Sequence, residues 1–360
     1  MIERNLEIEA EILADPDAAH GYAVYADWLV QRGDPHGELI AVQLAREANP
    51  DDANLVARER ELLAEHQSEW LAGLESGFSA SRVPQFEWRR GFVYKAVIQT
   101  SYESNDSAMI YTMLADRPVA RFLRELRLGV ACSYGGRGER DSSIIDALRD
   151  HPLPVIRSLE LDHFDFELSW THVGDVSPAN AALRGLESLE VIAGDVTLGE
   201  IDLPNLRRLR IETGGLRAHV LESIAAARWP KLESLIVYFG TSDYGGSCTP
   251  EHVVPILEGT NLPRVTELGL CNSMFGDELA ERVVRAPILP RLERLDLSKG
   301  TIGTDGARVI ANNAAAFAHL ELDLDENYLS PAECEDLGRF ASVAGQKTEE
   351  GYGRFCSVSE

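Results

Sequence analysis

The chain has 360 residues, 44% of them apolar, and a formal charge of −25 at pH 7. That length supports one or two domains with sizeable cores. The charge argues against gripping a nucleic-acid backbone, which needs clustered lysine and arginine, and no run reaches the roughly 18 apolar residues of a membrane span.

The opening segment, MIERNLEIEAEILADPD, is acidic and lacks the apolar centre of a secretory signal, so none is expected. The cysteines, Cys132, Cys248, Cys271, Cys334 and Cys356, are odd in number, scattered and without a C-x-x-C pair. This predicts reduced thiols in a cytoplasmic protein, with neither a disulfide framework nor a zinc site.

Residues 1–75 read as helical. Ile2, Leu6, Ile12 and Leu13 fall near helical spacing, and Asp15-Pro16-Asp17 interrupts them. Tyr22, Tyr25, Trp28 and Leu29 share the face of a second helix. Arg32-Gly33-Asp34 makes a turn, and Pro35 is suited to open the third helix, which offers Leu39, Ile40, Gln43 and Leu44. After Asn49-Pro50-Asp51-Asp52 a fourth helix carries Leu55, Leu62 and Leu63 to about Trp70.

Several pieces of this block occur together: Ile12-Leu13-Ala14-Asp15-Pro16-Asp17, Tyr25-Ala26-Asp27-Trp28-Leu29, Arg32-Gly33-Asp34-Pro35 with Gly37-Glu38, and Gln43. In that combination the block resembles the repeat-companion domain found ahead of leucine-rich repeats in planctomycete and myxobacterial proteins. The likeness continues through Glu69-Trp70-Leu71 and Trp88-Arg89-Arg90-Gly91-Phe92-Val93. It implies an architecture and brings no catalytic motif with it.

Residues 76–120 form a transition, with alternation in FEWRRGFVYKAVI that suggests strands capping the first repeat, then a short helix over Ala108–Leu114. From Leu123 the spacing L-x-x-L-x-L recurs. Its middle positions are Leu126, Leu159, Leu189, Leu209, Leu235, Leu268, Leu295 and Leu322, separated by 33, 30, 20, 26, 33, 27 and 27 residues. Asn327 and Leu329 complete the pattern L-x-x-L-x-L-x-x-N-x-L, which identifies leucine-rich repeats similar to the ribonuclease-inhibitor class. One such unit cannot bury its own apolar face, so neighbours must stack. Helices are expected at about 142–150, 216–227, 250–258, 276–285 and 304–313, and the 20-residue step should cross by an extended segment or a single turn. The expected fold class is therefore α/β: a horseshoe solenoid with parallel strands and outer helices over 121–345, behind a small all-α domain. A polar tail over 346–360 forms either a last short strand or a disordered end.

Within each repeat, the positions between and just after the core residues should face outward. Ile236, Tyr238 and Phe239 are the expected apolar centre of a partner-binding face, with Ile192 beside them and Glu212 and Asp162 among the surrounding acids. Tyr134 and Tyr244 sit in two glycine-bearing insertions expected on one edge. The alternative is that loops cover Tyr238 and Phe239. Phe164, Phe166 and Trp170 are expected to fill core beside the short repeat. Gly135-Gly136-Arg137-Gly138 lacks the Lys-Ser/Thr of a phosphate loop and is flanked by Glu139 and Asp141. His163 and His172 lie near Asp162 and Asp175, but no H-E-x-x-H, G-x-S-x-G or catalytic Cys-His signature accompanies them. The expectation is a non-catalytic scaffold or adaptor without cofactor or metal, binding a protein partner of basic character and neither nucleic acid nor membrane. The alternatives are an acidic inhibitor of a basic enzyme, or the substrate-recognition subunit of an enzyme complex.

Overall fold

Side-chain packing decides which of these elements form, and the computed structural model describes residues 4–75, 83–99, 106–132, 143–164, 168–349, 351 and 353–358. The architecture is α/β, with a long, mostly parallel sheet and helices. The chain divides into two compact units. The first comprises Met1–Gly129, Asp146–Leu159 and Ala181–Gly185; the second comprises Val130–Ile145, Glu160–Asn180 and Leu186–Glu360.

The first unit opens with four helices, α1 (Leu6–Ala14), α2 (Ala19–Val30), α3 (Pro35–Ala48) and α4 (Ala53–Trp70). Asn5, Asp34 and Asp52 cap α1, α3 and α4 by accepting backbone N–H groups with their side chains, and Pro35 takes the first position of α3. A β-carbon at Gly37 would lie 2.7 Å from the Ala26 carbonyl and 2.8 Å from Leu29 Cβ, so α2 and α3 meet at a residue without a side chain. The hairpin β1 (Gln85–Arg89) and β2 (Phe92–Ile98) follows, then α5 (Ser107–Ala115) and β3 (Glu125–Gly129), which pairs in parallel with β2. The helices share one core with this later segment. Ile12, Tyr25, Leu29 and Ile40 surround Phe92, whose ring stands edge-on to Phe122 with centroids 4.6 Å apart.

The motif residues of this block act on its hairpin. His36 is fully buried and its Nε2 lies 2.5 Å from the Gly91 carbonyl oxygen. Because that oxygen only accepts, Nε2 carries the proton; burial lowers the imidazole pKa and keeps the ring neutral. Gln43 Oε1 accepts from Gly91 N at 2.6 Å, and its Nε2 donates to the Trp88 carbonyl at 3.2 Å. Gly91 has φ +80°, and a β-carbon there would strike Ile40. Arg90 is held by Glu47 and by the Asp17 carbonyl. These residues fix a turn.

The strand β4 (Ala131–Cys132), the helix α6 (Ser143–Asp150) and the strand β5 (Ser158–Asp162) come next, α6 and β5 having residues in both units. The second unit continues with β6 (Thr171–Asp175), β7 (Ser188–Ile192), β8 (Asp195–Thr197), β9 (Arg208–Glu212), α7 (Ala218–Ala226), β10 (Ser234–Gly240), α8 (Pro250–Glu258), β11 (Glu267–Ser273), α9 (Gly276–Val283) and β12 (Arg294–Asp296). It ends with α10 (Thr304–Asn312), α11 (Ala314–Phe317), β13 (Glu321–Asp323), α12 (Pro331–Leu337) and β14 (Ala341–Ser342).

Strands β7, β9, β10, β11, β12, β13 and β14 lie side by side in that order and all run parallel. Their register aligns Leu189, Leu209, Leu235, Leu268, Leu295 and Leu322 in a single buried row. Each such side chain contributes about 1.5–3 kcal/mol relative to exposure. Asn327, also buried, donates to the carbonyls of Leu297 and Leu324 at 2.9 and 3.1 Å and accepts from Ile302 N at 3.0 Å. This explains the asparagine of the repeated pattern: one amide satisfies backbone groups that the ending strands leave open.

Where helices are missing, a small second sheet stands in, ordered β4, β6, β8. The 20-residue step from Leu189 to Leu209 crosses through β8 and turns, as its length requires. Trp170 departs from expectation. It is 44% exposed, because the short turn Leu168–Trp170 buries Leu168 instead. Phe164 is half-buried at φ +53°, and Phe166 lies outside the described residues.

The described residues of the tail are tied to the sheet by hydrogen bonds. Val358 pairs through both backbone groups with the Asn272 amide, at 2.6 and 2.8 Å. Lys347 Nζ donates to the carbonyls of Gly300 and Phe355 and to Ser357 Oγ, at 2.8 to 3.0 Å. No described helix is long and apolar enough to cross a membrane. Cys248, Cys271, Cys334 and Cys356 are free thiols.

Candidate interaction face

Strand geometry puts alternate residues on opposite faces, so the residue after each buried leucine points the other way. Across the second unit this gives an in-register row, Glu190, Arg210, Ile236, Gly269, Asp296 and Asp323, ending at Ser342. Except for Gly269, these residues are partly or fully exposed to solvent.

Arg210 dominates one half of the row. Its Nε lies 3.0 Å from Glu190 Oε1, and its Nη2 donates to Glu212 Oε2 at 2.5 Å and to Tyr238 Oη at 3.1 Å. The guanidinium carbon also stands 4.9 Å from the centre of the Tyr238 ring. Burial works against the charge of Arg210, but the Glu212 hydrogen bond and the neighbouring acids outweigh it and raise its pKa.

In the other half Arg294 of β12 is paired with Glu267, and among the described residues it forms no ion pair with the aspartates of the row. At Gly269 the row loses its side chain, and a β-carbon there would come 2.8 Å from Ile236 Cγ2. A hollow of about 320 Å³ results, lined by Ile236 and Ser342 and by the charged groups Glu267, Arg294, Asp296, Glu321 and Asp323, of which Arg294 is paired with Glu267 at 3.0 Å. Asp296 and Asp323 each use one oxygen to accept the backbone N–H two residues on, Ser298 and Asp325, both at 2.8 Å. Among the described residues neither is in an ion pair. The Asp323 carboxyl is pushed above its usual range, first by burial and then, against the Asp325 N–H, by the charges of Asp296, Asp325 and Glu326.

The expected aromatic centre is not exposed on this face. Phe239 is 1% exposed, its ring edge-on to Phe275 at 5.1 Å. Tyr238 is 5% exposed beneath Arg210. The strand turns at Gly240, φ +64°, where the backbone passes so close to Gly214 that a β-carbon would strike its carbonyl. Phe239 shares the inward strand face of the buried Leu235 and Val237. Asp162 is also buried, 3% exposed, and accepts from Phe164 N at 3.1 Å, so it closes a turn instead of facing a partner. Ile192 and Glu212 sit half-buried and paired in register on β7 and β9. Tyr244 is half-buried in the turn after β10. Tyr134 and the glycines beside it lie outside the described residues. Cys271, in register with Tyr238, is buried, and burial raises its thiol pKa well above the ordinary value.

A larger hollow, about 550 Å³, opens beside α9 and α10. Both of its arginines are paired: Arg308 lies 3.1 Å from Asp305, and Asp277 accepts from Arg354 at 3.0 Å and from the N–H groups of Gly303 and Gly306. Among the described residues no group of three or more His, Cys, Asp or Glu side chains could hold a metal ion. The residues that matter on the open face, Arg210, Gly269, Asp296 and Asp323, carry a signal in the sequence. Each follows the middle leucine of its repeat, and that position changes chemistry from repeat to repeat while the leucine does not.

No family profile matches the chain, and no curated protein matches it. Among solved structures, it is similar to a Bacteroides fragilis protein determined in a structural-genomics programme, with a TM-score of 0.64 and 22% identity over 85% of this chain and 87% of that one. At that identity the likeness speaks for the fold alone.

Proposed function

We propose that the second unit is a leucine-rich repeat array of the ribonuclease-inhibitor type, curved as a horseshoe and preceded by a block of the repeat-companion type. The chain acts as a non-catalytic scaffold that binds a partner protein on the open face of its sheet. One observation carries this reading. In a single register, the inward row is leucine in six successive strands, whereas the outward row holds a glutamate, an arginine, an isoleucine, a glycine and two aspartates. Packing needs only the first row; the second is free to be a recognition surface.

The test is affinity capture from the native host with the full chain and with Ile236→Arg, which places a bulky charge at the centre of the row. Wild type should retain a partner that the variant loses, with unchanged circular dichroism. Undiminished capture by the variant would overturn the reading. The acidic half of the face favours a basic partner, and capture should weaken steeply between low and physiological salt.

A further inference from the structure

We propose that the hollow beside Gly269 receives an arginine side chain from the partner polypeptide. This rests on the face being an interaction surface and names what enters it.

Charge points to a cation. Around the hollow, four carboxylates already have one: Glu190 and Glu212 share Arg210, Glu267 lies 3.0 Å from Arg294, and Glu326 lies 3.0 Å from Lys299. Asp296 and Asp323 stand in register on adjacent strands without one, at a strand spacing of about 4.8 Å. Two like charges that close oppose each other's ionisation, and a cation set between them relieves both.

Shape and chemistry then select the cation. Among the described residues no three ligating side chains are placed to hold a metal ion together, and a hard divalent cation normally needs more oxygen ligands than a pair supplies. A guanidinium presents five N–H donors in one plane and can reach carboxylates on two strands, whereas an ammonium acts as a point charge. Each aspartate has already committed one oxygen to a backbone N–H, which fixes its orientation toward an incoming donor. The Ile236 wall faces the space that the methylene stem would occupy, as long basic side chains require when they lie along an apolar surface. The volume of about 320 Å³ suits one such side chain and not a folded element.

Fluorescence anisotropy of the full chain with labelled Gly-Gly-Arg-Gly-Gly, and with its lysine and citrulline counterparts, tests the idea. The arginine peptide should bind at least tenfold more tightly than either. The double variant Asp296→Asn with Asp323→Asn, which keeps both turn hydrogen bonds, should abolish that preference. Asp305→Asn, on α10, should leave it intact. Equal binding of the citrulline or lysine peptide, binding retained in the double variant, or no binding of any peptide would each overturn the proposal. If Ile236→Arg still abolishes partner capture in that event, the face keeps its role and only the arginine is lost.

Discussion

From β7 to β10 the open face neutralises itself: one arginine bridges two glutamates and lies over the ring of a tyrosine. From β11 to β13 the same row offers a glycine and two aspartates, and the nearby cation, Arg294, is already paired with Glu267. Both halves rest on the same buried leucines, so packing does not explain the difference. Acidic residues are abundant throughout this chain. What separates a solvated surface from a candidate site is whether a cation on the neighbouring strand already answers the acid.

The largest expected effect comes from removing what both halves stand on. Phe239→Ala deletes a buried ring packed against Phe275 at the end of β10. It should cost about 3–5 kcal/mol in urea denaturation, with loss of binding following loss of folding. A result of less than about 1 kcal/mol would mean that Phe239 contributes little to the core. An intermediate effect is expected of Arg210→Met. It removes two ion pairs and the cation above Tyr238, worth about 1–2 kcal/mol together for groups at a surface. It also turns the self-neutralised half into a likeness of the other. The arginine peptide should then gain a second binding event, seen as a changed stoichiometry. Unchanged stoichiometry would break the comparison, because it would mean that unanswered carboxylates alone do not make a site.

Much of the scaffold was legible in the chain. The helix expected at 250–258 forms as Pro250–Glu258, and the others fall within about two residues of their expected bounds. Periodic leucines and capping residues are local signals, and local signals survive being read one segment at a time. The second sheet was not legible, because β4, β6 and β8 span two, five and three residues and pair across long separations. The site was legible by position and obscured by residue type. Tyr238 and Phe239 looked like an interface because aromatics concentrate binding energy, but Phe239 alternates inward with Leu235 and Val237, and Tyr238 lies under an arginine one strand away. Asp296 and Asp323 are two among 59 acidic residues. Only the register shows that they are neighbours without a counter-charge.

The smallest effect is the sharpest test of that last point. Burial and the charges of Asp296, Asp325 and Glu326 raise the Asp323 pKa in the folded chain above its unfolded value. Between those two values the folded state binds more protons than the unfolded one, so stability falls as pH rises through the window. The penalty is absent below the unfolded value, near pH 4, and complete above the folded one. Asp323→Asn removes it while keeping the hydrogen bond to Asp325 N. The variant should therefore be more stable than wild type at neutral pH, by about 0.5 kcal/mol or less, and the gain should vanish in acid. A variant less stable than wild type at pH 7 would mean that a cation within the chain already answers Asp323, and the two halves of the face would no longer differ.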